Sequence, residues 1–233
     1  MKPIFLILSF LAVSFFIISC DDEPTSLPTN PERLDKKSSF TAEYEVTLEN
    51  LSSTGSQPFS PPILAVHSPT FRIFHLGGYA SDELAQVAQD AVNGPLVDLL
   101  NNSSHVSSVV VGGGVIPPGA TDTYRISAEG NYMKLSMVTM LVNTNDGFTG
   151  TDKLQLPQTG SKVYYLRTYD AGSEENTELD DHIPGPCCGN PFAGNSTNEK
   201  IKFHTGITGI GDLDPTVYGW DEPIAKLTIT RIN

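Results

Sequence analysis

The strongest constraint on the fold is a strict two-residue alternation of apolar and polar side chains near both ends of the part of the chain that can fold. In FTAEYEVTLENL the apolar positions are Phe40, Ala42, Tyr44, Val46 and Leu48. The closing segment IAKLTITRIN alternates in the same way through Ala225, Leu227 and Ile229. Period-two alternation places apolar side chains on one face of a strand. Both segments are therefore predicted to be half-buried antiparallel strands.

Further strand-like runs lie between these segments, in YRISA, YMKLSMVTMLV and KVYYLRTYD. Clusters of turn residues, GGGVIPPGATD and PQTGS, separate them. One segment, ASDELAQVAQDAVNGP, has helical spacing instead: Ser81 is the N-cap, apolar residues from Leu84 to Ala91 share a face, and Gly94 with Pro95 ends the helix. LVDLL adds at most another turn. The sequence predicts a mainly β fold, an antiparallel β-sandwich with one short amphipathic helix inserted.

The N-terminus has the pattern of a targeting segment. Lys2 precedes an apolar run that ends at IISC, where Cys20 follows a branched residue and a small one, as in the lipobox of bacterial lipoproteins. A single membrane anchor is the alternative, but the run is shorter than the ~20 residues that a span needs. We expect residues 1–19 to be a lipoprotein signal peptide and residues 20–38, rich in Pro, Ser, Thr and acidic residues, to be a flexible tether. Residues 39–233 would form one folded domain.

The charge of the chain limits its partners. Lysine and arginine total 14 against 27 aspartates and glutamates, which gives a net charge of −13. Nucleic-acid binding depends on basic patches, and no cluster of basic residues interrupts the acidic excess. No nucleic-acid partner is expected, and cations or cationic surfaces are the expected counterparts.

Four segments, in order along the chain, resemble one known family. They are QPFSPPILAVHSPTFRIFHLGGYASDELAQVAQDA, LSMVTMLVNTNDGF, YDAGSEENTE and HTGITGIGDLDPTVYGWDEPIAKLTITRI. Together they resemble the bacterial lipoprotein branch of the spondin domain family, named for the N-terminal domain of F-spondin, over about residues 40–232. The resemblance implies a β-sandwich that holds a calcium ion in loops at one end.

The resemblance also implies the calcium ligands. Asp146 in TNDGF occupies the turn in which the animal domains have Pro-Asp-Trp, and Asn145 and Gly147 stand in place of the proline and the tryptophan. Asp170 matches the first aspartate of Tyr-Asp-Ala-Gly-Thr-Asp, and Glu174 stands where the second would be. The resemblance therefore implies that Asp146, Asp170 and Glu174 bind Ca²⁺.

Physical chemistry gives this site an independent rationale. Ca²⁺ takes about six to eight oxygen ligands, which carboxylates and loop carbonyls supply. Backbone carbonyls near Asp170, with Asn145 or Asn176, are the candidates for the rest of the shell. Three carboxylates brought together without a cation would repel one another and raise their pKa values. The alternative is that NDG and DAG are ordinary turns, since Asn, Asp and Gly are common turn residues.

Two other kinds of site are weaker candidates. His67, His75 and His204 are enough for an open zinc site, but no HExxH motif is present, so a structural role for each ring is favoured. A hydrolase would need a nucleophile with a base, or two carboxylates at a cleft, and Asp212 and Asp214 in GDLDP are the nearest candidates. This stretch also fits a turn whose side chains cap its own backbone.

These features predict a non-enzymatic, calcium-binding lipoprotein that acts as an adhesion or binding module, with a small secreted hydrolase or glycan-processing enzyme as the alternative. The lipid on Cys20 would anchor it to the bacterial outer membrane, periplasmic or surface-exposed, and its ligand would be an envelope protein or a glycan. Tyr218 and Trp220 fit either a sugar-stacking platform or core packing. Cys187 and Cys188 in PGPCCGNP are expected to form a vicinal disulfide outside the cytoplasm, with two reduced thiols as the alternative.

Overall fold

The computed structural model describes residues 41–185 and 193–233, which belong to one compact unit, Ser38–Asn233. The predicted signal peptide, tether and lipidated Cys20 lie outside the described residues, and so do Cys187 and Cys188. Within the described ranges, no helix is long and apolar enough to cross a membrane.

The described residues form ten strands and three α-helices. The strands are β1 Thr41–Asn50, β2 Ile63–His67, β3 Val106–Val111, β4 Thr121–Glu129, β5 Lys134–Met140, β6 Gly147–Gln155, β7 Ser161–Leu166, β8 Thr168–Asp170, β9 Lys202–Phe203 and β10 Ala225–Arg231. The helices are α1 Asp82–Asp90, α2 Gly94–Asn101 and α3 Pro215–Tyr218, with a 3-10 helix at Asp180–His182. Most of the described residues are therefore strand or loop, as the sequence predicts.

The strands form two antiparallel sheets that pack face to face. The four-stranded sheet has the order β4-β1-β10-β7 and the six-stranded sheet the order β3-β2-β5-β6-β8-β9. Tyr44, Val46 and Leu227 of the first sheet share one buried cluster with Leu135 and Met137 of the second. The alternation of β1 puts its apolar residues into this cluster. The predicted mainly β, sandwich-like architecture is confirmed.

The outer face of the six-stranded sheet is covered by α1 and α2. Ile63 and Phe148 from the sheet share a second buried cluster with Leu84 and Val87 of α1 and Leu96 of α2. Because both faces of this sheet are covered, β2 is buried at every position and shows no alternation. A strand with two buried faces reads as a continuous apolar run.

The helical segment agrees with the sequence at its start and differs at its end. The Ser81 hydroxyl accepts the Leu84 amide at 3.3 Å, which is the predicted N-cap. The helix α1 ends at Asp90, followed by Ala91 in a left-handed conformation. Gly94 and Pro95, expected only to stop the helix, instead begin α2. Proline is tolerated in a first turn, because its missing N–H has no partner there anyway.

Candidate metal site

The turn that leads into β6 is held by one threonine. Thr144 Oγ1 donates to the Leu141 carbonyl at 2.7 Å and accepts the Gly147 amide at 2.9 Å. A Cβ at Gly147 would lie 2.5 Å from Thr144 Oγ1 and 3.1 Å from the His204 ring, so this position admits only glycine. This turn fixes Asp146 at the end of the six-stranded sheet.

The carboxylate of Asp146 is buried, and its two oxygens have different surroundings. Oδ2 accepts the Ser173 amide at 2.7 Å, the Ser173 hydroxyl at 3.1 Å and the Glu174 amide at 2.9 Å. Oδ1 has no hydrogen-bond partner among the described residues. A buried polar atom without a partner costs free energy, so Oδ1 is an acceptor available to a ligand.

Asp170 lies beside Asp146 because their strands pair. Gly147 and Asp170 are cross-strand partners, and the Asp146 carbonyl accepts the Ala171 amide at 3.1 Å. The buried carboxylate of Asp170 accepts the Gly172 amide at 2.8 Å and the Asn176 side-chain amide at 2.6 Å. The Asp146 and Asp170 carboxylates are therefore brought to the same end of the sheet.

One cation of the protein is near this pair. Lys202 Nζ lies 3.6 Å from Asp170 Oδ2 and also forms an ion pair with Glu199. Half of the Lys202 side chain is exposed, whereas the Asp170 side chain is 3% exposed. The Lys202 charge is therefore shared with Glu199 and partly screened by solvent.

The third predicted ligand, Glu174, is close but oriented differently. Its backbone amide donates to Asp146, while its buried carboxylate lies against the backbone of Gly194, where no Cβ would fit. The segment around Gly194 is held by pairing between Glu174 and Ser196. Within the described ranges, no three side chains from His, Cys, Asp and Glu form a ready-made metal cluster.

The surroundings of two carboxyl groups shift their pKa values upward. Burial, followed by the negative charge of Asp170, raises the pKa of Asp146 to about 6. Burial, followed by the charges of Asp146 and Asp90, raises the pKa of Glu174 to about 7. These groups ionise at a cost in free energy near neutral pH. A bound cation would remove that cost.

The two asparagines named as candidates for the shell, Asn145 and Asn176, both form hydrogen bonds at this end of the sheet. Asn176 donates to Asp170, so its side chain orients that carboxylate. Asn145 accepts the Glu178 amide at 3.2 Å and donates to the His182 carbonyl at 3.2 Å. The side chain of Asn145 therefore connects its turn to the segment after β8.

Glu178 is a buried carboxylate that the sequence analysis missed. It accepts the amides of Thr208, Gly209 and Ile210 at 2.6 to 3.0 Å and the Thr208 hydroxyl at 2.8 Å. Burial alone would raise the pKa of Glu178, but these hydrogen bonds outweigh burial and lower it. Consecutive backbone amides form an anion-binding nest, and the signal for it was GITGIG. Glu178 therefore anchors this loop.

The three candidate zinc-binding histidines lie in separate environments. The rings of His67 and His204 each bond a neighbouring backbone group, with His67 Nδ1–H donating to Ser68 and His204 Nδ1 accepting from Gly206. His75 packs its ring directly over Gly78. No zinc cluster joins them in the described ranges.

His67 also takes part in a buried network with Ser136 and Asp152. Ser136 Oγ lies 2.8 Å from His67 Nε2, donates to Asp152 Oδ1 at 3.0 Å and accepts the Lys153 amide at 3.0 Å. Burial lowers the pKa of His67. In a catalytic triad the carboxylate orients the imidazole, whereas here Asp152 contacts the serine. The network connects the irregular positions of β2, β5 and β6.

The hydrolase candidates bond to nearby backbone. Asp214 caps α3 by accepting the amide and hydroxyl of Thr216, both at 2.8 Å. Asp212 accepts the Asp180 amide at 3.2 Å. Tyr218 and Trp220 pack against a small buried cluster of Ile183, Ile207 and Leu213. These contacts show Asp214 in its predicted capping arrangement and the two aromatic side chains in packing contacts.

Comparison with known proteins adds one match. A family model described as Spondin_N matches residues 42–181, a range that contains Asp146, Asp170 and Glu174. No curated protein matches the chain.

Proposed function

The chain belongs to the Spondin_N family, and on that premise we propose that it is a non-enzymatic binding module whose loops are stabilised by calcium at Asp146 and Asp170. Family membership indicates a binding or adhesion type of domain. Glu174 is the third residue of the proposed site, and burial, followed by the charge of Asp146, raises the pKa of its carboxyl group.

One observation carries the calcium proposal: the buried Asp146 keeps an unpartnered oxygen beside a second buried carboxylate. Calcium prefers oxygen ligands and supplies positive charge. Asp146 and Asp170 are the residues that would hold the ion. Hydrogen bonds from Ser173 orient Oδ2 of Asp146. Hydrogen bonds from Gly172 and Asn176 orient Oδ1 and Oδ2 of Asp170.

The proposed role of the ion is structural. Asp146 closes the turn before β6, and Asp170 begins the segment that runs past Glu174 to the 3-10 helix. Neutralising these carboxylates would hold both segments at one end of the sandwich. Loops on a rigid scaffold commonly present binding surfaces.

We also propose that the domain is exported and tethered by a lipid on Cys20. The support is the IISC sequence and the acidic, Pro-, Ser- and Thr-rich residues that follow it. An outer-membrane location, facing the periplasm or the exterior, fits a binding module whose ligand is another envelope component.

A thermal melt tests the calcium proposal. A fragment of residues 38–233 would be stripped with EDTA and melted alone, with millimolar Ca²⁺ and with millimolar Mg²⁺. Calcium at a hundred times its Kd should stabilise the fold by about 2.7 kcal/mol. Magnesium should do less because it demands tighter octahedral geometry. An unchanged melt with calcium, or an equal shift in an Asp170→Asn variant, would contradict the proposal.

An array of glycans and proteins, probed with the calcium-loaded fragment, tests the binding role. Retention of a ligand without turnover is the expected result. Cleavage of any arrayed polymer would favour the alternative, a small secreted hydrolase.

A further inference from the structure

A groove of about 470 Å³ lies where the chain crosses from the four-stranded to the six-stranded sheet. Arg167 is the crossing residue between β7 and β8. The groove is lined by aromatic and arginine side chains, among them Arg72, Tyr164, Tyr165, Arg167, Tyr169 and Phe203. We call this surface the arginine–tyrosine groove.

The aromatic floor of the arginine–tyrosine groove is held rigidly. Phe203 stacks on Tyr169 at 5.5 Å between ring centroids, and Tyr169 stacks on the buried Phe148 at 5.3 Å. Phe74 meets both inner rings edge to face. At the rim, Tyr165 is 63% exposed and Phe203 is 39% exposed. Rings fixed in this way offer contact area at little further loss of conformational entropy.

A second hollow adjoins the first and shares Leu76 and Phe203 with it. It is bordered by Tyr79, which is 60% exposed, and by Lys200. Arg167 lies 3.9 Å from the centre of the Phe203 ring, and Lys200 lies 5.9 Å from that of Tyr79. Exposed aromatic rings thus alternate with cations along one continuous surface.

This surface has four cations, Arg72, Arg167, Lys200 and Lys202, and two carboxylates, Asp152 and Glu199, so its formal charge is positive whereas that of the chain is −13. Neither Arg167 nor Lys200 forms an ion pair with a carboxylate among the described residues. Arg72 Nε lies 3.9 Å from Asp152 Oδ2, a long distance for an ion pair, and the Arg72 side chain is 46% exposed. Arg167 and Lys200 lie beside aromatic rings and have no carboxylate partner among the described residues. This arrangement favours a ligand that has both anionic groups and apolar faces.

We infer that the arginine–tyrosine groove, together with the adjoining hollow, binds an acidic polysaccharide, a chain of sugar rings that carry carboxylate or sulfate groups. The C–H face of each sugar would stack on an exposed ring such as Tyr165, and the anionic groups would pair with Arg167 and Lys200. Guanidinium groups suit planar, bidentate recognition of oxyanions. This inference rests on the proposed binding function and does not depend on calcium.

An acidic peptide is the competing occupant. The strand at the open edge beside the second hollow, β9, has only two residues, too short for an added peptide strand of ordinary length. Two exposed rings, Tyr165 in the groove and Tyr79 in the adjoining hollow, suit a row of sugars better than a single apolar anchor would. The observations therefore favour the glycan.

Fluorescence anisotropy with labelled oligosaccharides tests this inference on the calcium-loaded fragment of residues 38–233. The probes are a sulfated hexasaccharide, a hexagalacturonate, neutral maltohexaose and hexaglutamate. Binding is expected for at least one acidic sugar, with weaker binding of maltohexaose and hexaglutamate. Affinity should fall with added salt, because exposed charges are screened.

Three variants locate the site. Arg167→Ala should weaken acidic-sugar binding about tenfold, as for the loss of one charge-assisted hydrogen bond, and Tyr165→Ala should weaken it several-fold. Arg125→Ala removes the same charge from an exposed position on β4 and should leave binding unchanged. All three side chains are exposed, and unchanged melts would confirm folding.

Three outcomes would overturn the inference: no acidic sugar binds, Arg125→Ala weakens binding as much as Arg167→Ala, or hexaglutamate binds as tightly as the sugars. The last outcome would favour an acidic protein partner. Failure of every sugar, with retention of another ligand on the array, would reject the glycan and leave the binding function standing.

Discussion

Replacing the buried carboxylate of Asp146 with an amide should stabilise the calcium-free protein at neutral pH. Burial and the charge of Asp170 raise the pKa of Asp146 to about 6 in the folded state, against an ordinary value of about 3.9 in an unfolded chain. Above pH 6 the folded state therefore bears an ionisation penalty on the order of 2 to 3 kcal/mol. The penalty disappears below about pH 4, where both states are protonated.

Asp146→Asn removes this charge and keeps an oxygen that accepts the amides of Ser173 and Glu174. Those hydrogen bonds weaken when the acceptor loses its charge, so we expect a net gain of about 1 to 2 kcal/mol in EDTA at pH 7.5. At roughly 2 to 4 °C per kcal/mol for a domain of this size, Tm should rise by about 2 to 8 °C.

Thermal melts at pH 4.5 and 7.5, with EDTA or with calcium, measure this effect. In calcium the order should reverse, because wild type gains about 2.7 kcal/mol at a hundred times Kd and the variant gains nothing. At pH 4.5 the two EDTA melts should lie closer together, because Asp146 is then protonated in the folded state and most of the ionisation penalty is gone. Asp98→Asn, on the exposed face of α2, is the matched control and should change little. If Asp146→Asn is less stable than wild type in EDTA at pH 7.5, the reasoning is wrong.

The remaining predictions concern the anchor, the cysteines and the buried network. Cys20→Ser should release the protein from the membrane fraction, and equal retention would contradict a lipid anchor. Thiol titration of the unfolded, unreduced protein should find Cys187 and Cys188 oxidised, whereas two titrating thiols per chain would exclude their disulfide. Ser136→Ala removes a hydroxyl with three buried contacts and should cost about 2 to 4 kcal/mol in urea unfolding. Ser127→Ala, at an exposed position, should change the free energy of unfolding little. Equal urea midpoints for the Ser136→Ala and Ser127→Ala variants would refute the role of Ser136.

Local sequence patterns predicted the elements that face solvent on one side. Apolar and polar residues alternate along β1 and β10 because one face of each strand packs in the core and the other faces solvent. The Ser81 cap could be predicted because Ser81 directly precedes a segment with helical spacing of apolar residues. The strand β2 was missed because helices cover its second face and remove the alternation. The helix α2 was expected only as a further turn in LVDLL, because Gly94–Pro95 suits the start of a helix as well as its end.

In the candidate site, too, local sequence patterns predicted some features and tertiary packing determined the others. The acidic turns at Asp146 and Asp170 were visible in the sequence, and pairing of β6 with β8 places them together. Asp146 Oδ1 has no partner among the described residues because the nearby amides all donate to Oδ2. The hydrogen bonds of Glu178 come from a loop about thirty residues later in the chain. Such contacts are set by tertiary packing, so a local pattern such as GITGIG indicates the loop but not the carboxylate that the loop binds.

Calorimetric titration of the metal-stripped fragment with calcium tests the central claim most directly, since it reports stoichiometry and, across buffers of different ionisation enthalpy, the protons released. One ion per chain is expected. With pKa values of about 6 for Asp146 and about 7 for Glu174, binding should release about one proton at pH 6.5 and about a quarter of one at pH 7.5, because ligands must ionise. Absence of binding, or unchanged binding in Asp170→Asn, would contradict calcium at this site.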